Sequence, residues 1–330
     1  MDTKKQGSRL QNKIPIAPAS FFAMTLGLAE TGNALRIAHD TWGGPQLWSE
    51  LLEGLAVLSF IWWGFLYVSK WINHRADAQQ EWKDPVQGSF IALIPESVLL
   101  LSAVFLPYHL VVAHVLFWAG SVSNLLIGAI RLSGMWKYPR SGSQITPSLF
   151  LTYTASVLVN ALMAGLFGYT ELGWMIFGIG AVSWIILDSV IFHQLVTGGL
   201  ASKARNFMGI YMAPAAIMLV AYQVLSGKSS DFVTYALAGY SLFLIFSLAL
   251  SYKWLREQQF APGYWAYTFG IATVAQGLLF MVNDSKSPFL IGVTAIVLAA
   301  SVLVTLSVAI GSVYLLLSKR YYPPVAVSKA

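Results

Sequence analysis

Ten stretches of about twenty mostly apolar residues follow one another along this chain, each bounded by charge, proline or glycine clusters. They fall at 17–37, 46–71, 88–106, 108–132, 146–168, 170–195, 205–225, 231–252, 262–282 and 288–317. Such stretches leave few folds open. In hydrocarbon every backbone N–H and C=O must be paired within the protein, and about twenty residues at 1.5 Å each cross the bilayer only as a helix. Charge is scarce in the same sense: 10% of residues are charged, against about 25% in an ordinary soluble domain. The expected fold is an all-α membrane protein of ten transmembrane helices.

The connections are short and none holds a soluble domain. A transmembrane domain over 17–317 is therefore expected, between an N-terminal tail (1–16) and a C-terminal tail (318–330). The basic start M-D-T-K-K-Q-G-S-R-L-Q-N-K shows no cleavable small-residue site, so the first span is expected to be retained. All Lys and Arg except Arg36, Lys228 and Lys286 lie in the tails or after even-numbered spans. The positive-inside rule then predicts cytoplasmic termini. The net charge of +6 reads as a topology signal and an attraction to anionic lipid, and nucleic acid is not an expected partner.

Odd and even spans differ. On the first, Ala23, Gly27, Glu30 and Asn33 share a helical face; on the third, Ser89, Ala92 and Glu96 do so, with Pro95 beside the acid. The fifth repeats Ser148, Thr152, Ser156, Asn160 and Ala164 every four residues. The seventh aligns Gly209, Ala213 and Ala216, and Pro214 removes a backbone donor in mid-span. The ninth aligns Ala266, Phe269, Thr273 and Gln276, a small or polar face except for one ring. Even spans such as 46–71 and 288–317 are apolar on nearly every side, as lipid-facing helices are. The later odd spans recur with a period of roughly 58 residues, the length of one helical hairpin with its loops. Five hairpins in a quasi-fivefold arrangement, odd helices lining a central pore, would use every stripe. Small residues also mediate close packing of membrane helices, the role expected of Gly120, Asn124 and Gly128 in the fourth span.

Several segments in this order resemble the tellurite-resistance/dicarboxylate transporter family, which includes bacterial tellurite-resistance proteins and the slow-type anion channels of plant guard cells. They are F-F-A-M-T-L-G-L in the first span, S-F-I-A-L-I-P at Ser89 to Pro95, T-P-S-L-F-L at Thr146 to Leu151, L-F-G-Y-T-E-L-G-W at Leu166 to Trp174, S-W-I-I-L-D at Ser183 to Asp188, M-G-I-Y-M-A-P-A at Met208 to Ala215 and Y-W-A-Y-T-F-G at Tyr264 to Gly270. The resemblance implies a homotrimer in which each protomer has its own pore for small inorganic anions such as chloride and nitrate. By its place in Y-W-A-Y-T-F-G, Phe269 resembles the phenylalanine that closes the conduit in that family. Kink prolines match at Pro95 and Pro214. The pattern departs at Thr25 and Thr152, where bacterial relatives have proline.

From the residues alone Phe269 reads first as a core-filling aromatic; the resemblance is what implies a gate, which works by steric exclusion and dewetting. No Lys or Arg lies at mid-membrane on the inner stripes, which suits weak coordination and rapid exit of an anion. Glu30 and Glu96 oppose this, since ionised acids there repel anions. They are read either as neutral or hydrogen-bonded braces or as proton carriers in a coupled transporter. Asp188 reads as structural or interfacial.

Enzyme signatures are missing. The chain has no cysteine, its five histidines lack metalloprotease spacing, and no phosphate-binding Gly-Lys-Ser/Thr loop is present; no cofactor is expected. The expectation is a gated anion channel of the bacterial inner membrane. The alternatives are a proton-coupled transporter of a dicarboxylate, sulfite or tellurite-related oxyanion, and a nonconducting scaffold whose stripes are packed interfaces.

Overall fold

A computed structural model describes residues 14–322; the tail cations Lys4, Lys5, Arg9, Lys13 and Lys329 lie outside the described residues. The fold is all-helical, with no strand among those residues. Its long helices are α1 (Ala23–Trp42), α2 (Leu47–Asn73), α3 (Leu93–Phe105), α4 (Leu110–Lys137), α5 (Ala155–Leu166), α6 (Thr170–Thr197), α7 (Ala213–Ser226), α8 (Phe232–Leu250), α9 (Ala266–Ser285) and α10 (Pro288–Leu317). Among the described residues eight helical runs are long and apolar enough to cross a membrane, and a ninth is added when the bent pair Pro147–Tyr153 and Ala155–Leu166 counts as one. The first helix is less apolar than these, because Glu30, Asn33, Arg36, His39 and Asp40 lie within it.

Burial separates two layers. In the runs ending in α3, α7 and α9, between 78% and 83% of the apolar window is buried, against 22% to 33% in α2, α4, α6, α8 and α10. Each even helix packs against the odd helix before it. The odd helices touch in a closed circuit, α1 to α3, α3 to α5, α5 to α7, α7 to α9 and α9 back to α1. α10 also reaches α1, where the Thr31 and Thr305 hydroxyls hydrogen-bond at 2.9 Å.

Every odd helix is entered through a 3-10 turn: Ala19–Phe22, Gln87–Ala92, Pro147–Leu149, Ser202–Phe207 and Pro262–Trp265. Pro147 and Pro262 open theirs, where a missing N–H costs nothing. Pro214 stands in the first turn of α7 for the same reason, and Pro95 stands in the first turn of α3. The fifth segment bends by 42° without a proline. Thr154 occupies the bend (φ −114°, ψ −77°), and its buried hydroxyl bonds that of Ser183 on α6 at 2.8 Å. Ser156 donates to the Leu151 carbonyl at 2.9 Å, an acceptor the bend has freed.

On the side where these turns lie, the short helix Arg75–Lys83 is stapled to the start of the first segment. Glu81 accepts from the buried Lys70 Nζ at 2.9 Å and from the Ala19 N–H at 2.8 Å. Beyond α10 the chain turns back and buries Tyr321, which stacks on Trp63 at 5.7 Å and lies 4.9 Å from the Phe21 ring. On the opposite side Arg36 is committed to Glu53 and to the Tyr108 hydroxyl.

Candidate functional site

A partly open cavity of about 250 Å³ lies among the 3-10 turns. All five odd segments wall it and none of the long even helices does. Going inward, the last residues to line it are Leu26 on α1, Glu96 on α3, Ala155 on α5, Ala213 on α7 and Phe269 on α9. These five form its blind end. Phe269 lies seven residues beyond Pro262, about 10 Å deeper at 1.5 Å per residue, and its ring is 7% exposed.

Of the residues singled out in the sequence, the cavity brings together Ala23, Glu96, Ala213, Ala266 and Phe269. Glu30, Asn33 and Thr273 meet in a second cluster deeper than Phe269, where the Glu30 carboxyl contacts both side chains and Thr273 bonds the Phe269 carbonyl at 2.9 Å. Both acids are 1% exposed, and each leaves one oxygen, Oε1 of Glu30 and Oε2 of Glu96, without a partner. Gln276, a turn further along α9, also has an unpartnered buried oxygen.

The remaining candidates face neighbouring helices. Gly27 is where α1 crosses α9: a Cβ there would stand 1.9 Å from Thr268 Oγ1. Asn160 donates to the Ser121 carbonyl at 3.2 Å and to Asn124 Oδ1 at 3.3 Å, tying α5 to α4. Ala216 is buried in a cluster with Leu219 and Val274. Ser89 and Thr152 turn their hydroxyls onto the Pro85 and Leu149 carbonyls, and Ala92 and Pro95 are buried in the helix layer.

Sequence reasoning missed the aromatic collar. Phe21, Phe90, Phe207 and Trp265 line the cavity, each from a 3-10 turn that leads into an odd helix. Their common place just before four of the small-faced stripes is the signal that could have found them. It also missed Lys203, Asn206 and Gln258. Gln258 bonds the Lys203 carbonyl (3.0 Å) and the Asn206 N–H (2.8 Å), while Asn206, 5% exposed, keeps an unpartnered Oδ1. Among the described residues, Lys203 is the one cation lining the cavity.

The cavity has room for a small solute. Among the described residues no group of three or more His, Cys, Asp or Glu is placed to hold a metal.

The profile of a family described as voltage-dependent anion channel, SLAC1, matches residues 17–313. The tellurite resistance protein TehA homolog of Haemophilus influenzae is 30% identical over 259 residues, 78% of this chain and 79% of that protein. The S-type anion channels SLAH1 and SLAH4 of Arabidopsis thaliana are each 25% identical, SLAH1 over 282 residues (81% of this chain, 70% of that one) and SLAH4 over 307 (88% and 81%).

Proposed function

Because the chain belongs to the SLAC1 voltage-dependent anion channel family, we propose that it is a gated channel for small monovalent anions, chloride and nitrate among them, with Phe269 as its gate. Membership together with the apolar helices makes it a multi-pass membrane protein of anion channels and transporters. One observation supports the finer reading: a cavity walled by all five odd segments has the Phe269 ring among the deepest residues that line it. In this reading ten helices cross the bilayer as five hairpins, residues 17–317 form the channel domain, and the odd helices surround the conduit. The closed circuit of contacts among them supports it.

Anions enter past Lys203 and meet a narrow apolar plug. Opening swings the ring aside, and exclusion in the closed state is steric and by dewetting. The protein assembles as a homotrimer in the bacterial inner membrane with one conduit per protomer. Both tails are cytoplasmic, on the side that carries most of the Lys and Arg. A second reading, proton-coupled transport of a dicarboxylate, sulfite or tellurite-related oxyanion, is favoured by one feature, the buried Glu96 at the blind end.

Chloride and nitrate currents of wild type and Phe269→Ala in reconstituted bilayers, at matched protein density, decide between them. A large gain of ohmic anion current in the variant supports the channel. Folded variant protein that is silent, or that moves anions only with protons, removes the gate and favours the transporter.

A further inference from the structure

The cavity in front of Phe269 is a poor resting place for a hydrated inorganic ion. Phe21, Phe90, Phe207 and Trp265 make its sides, and 250 Å³ holds about eight water- or methylene-sized groups at ~30 Å³ each. Polarity is concentrated at one end. Gln87 and Lys203 are exposed at the starts of their segments, and beside them the buried Asn206 amide has an oxygen with no partner in the protein. The amide can present either its oxygen or its N–H₂ group to a ligand by a flip. At the far end the buried Glu96 stands among Leu26, Ala155, Ala213 and Phe269 with no cation beside it among the described residues, so that depth offers an anionic group no counter-charge. A solute that satisfies both ends carries its negative charge at the mouth and an apolar chain inward.

We propose that this cavity is a binding site for an amphiphilic monocarboxylate with a chain of about eight carbons, and that its occupancy plugs the conduit. The carboxylate pairs with Lys203 and accepts from Asn206 and Gln87, while the chain lies against the aromatic collar and ends below Phe269. Organic acids on the Lys203 side then shut off inorganic anion current. The plugging half rests on the reading of this axis as the conduit; the binding half does not.

The test uses the full-length protein in nanodiscs of zwitterionic lipid at neutral pH, with octanoate as the probe, octylammonium as its charge-reversed analogue and palmitate as a membrane-derived carboxylate. Octanoate is expected to bind saturably, one per chain, without competition from palmitate, whose chain exceeds the cavity. Lys203→Gln, at an exposed position, should weaken it about fivefold, the size of one partly exposed charge pair. Asn206→Asp is nearly isosteric and puts a carboxylate in the wall. Octanoate binding should be lost in that variant and octylammonium should take the site. Non-saturable partitioning, or saturable binding that neither substitution changes, overturns the site, and competition by palmitate overturns the chain-length assignment. Chloride flux through Phe269→Ala separates the two halves. Flux that octanoate suppresses upholds both, and binding that leaves flux untouched upholds the site and overturns the plug. Flux without saturable octanoate binding upholds the conduit and overturns the site.

Discussion

Gly27→Ala puts a single methyl where α1 crosses α9, and the surroundings determine its cost. The new Cβ would stand 1.9 Å from Thr268 Oγ1, 3.0 Å from Thr268 Cβ and 3.1 Å from Trp265 Cε3. Thr268 is fully buried and its hydroxyl donates to the Trp265 carbonyl at 2.8 Å. Rotating that hydroxyl away gives up about 0.5–1.5 kcal/mol of hydrogen bond and still leaves the tight carbon contact. Relieving that contact also parts the α1–α9 seam, at a further overpacking cost of about 1–3 kcal/mol. Alanine's better helix propensity returns about 1 kcal/mol. The net expectation is a loss of about 0.5–3.5 kcal/mol, read as a lowered unfolding midpoint in detergent. Thr268→Ala added to Gly27→Ala removes the 1.9 Å clash but not the 3.0 Å one, so it should recover most of the loss, with a coupling of about 0.5–3 kcal/mol. Leu26, the preceding residue, lines the blind end of the cavity, so an opened seam should also raise basal chloride flux. A Gly27→Ala protein as stable as wild type, or effects of the two substitutions that simply add, would refute this account of the crossing.

Three further outcomes are expected. Conductance should rise in the order wild type, Phe269→Leu, Phe269→Ala, following the cross-section left at the blind end, and planar-bilayer recordings give the ranking. Glu81→Ala leaves the buried Lys70 uncompensated and the Ala19 N–H without its acceptor, a loss of about 3–5 kcal/mol in chemical denaturation, whereas Glu81→Gln keeps an acceptor for Ala19 and should cost less. Asp231 caps α8, and the Thr234 N–H, followed by the Tyr222 hydroxyl, holds its carboxyl below the usual carboxylate range. A depressed carboxyl contributes stability that is complete above its unfolded pKa and fades as pH falls through the folded one. The midpoint advantage of wild type over Asp231→Ala should therefore be steady near neutrality and shrink below about pH 4.

The apolar windows foretold the helices well because a membrane-crossing segment announces itself by length and lack of charge. α10, free of charged residues, runs over Pro288–Leu317, the bounds read from the sequence. α1 was harder to place by hydropathy because its inward groups, Glu30 and Asn33, are polar. The 3-10 entries had no signature. Gln87–Ala92 has the composition of any membrane helix, and fit to neighbours, not side-chain propensity, selects the i to i+3 bond. The bend at Thr154 was equally hidden, since it rests on a hydroxyl of α6 twenty-nine residues away. Ala23, Ala266 and Phe269 share the cavity wall, whereas Asn160 turns to α4. A stripe records that one side of a helix is small or polar, not which neighbour stands opposite, and opposite Asn160 stands Asn124.

The contact of α10 with α1 has a topological consequence. A closed circuit of inner helices has no beginning, and the covalent chain merely has to be interrupted somewhere along it. Here the interruption lies where Thr31 meets Thr305 and Tyr321 covers Phe21, so the two ends of the helical array are already neighbours. A circular permutant opened in the exposed connection at Gly198–Gly199, with its native ends joined by a linker, would keep every interhelical contact of the original order.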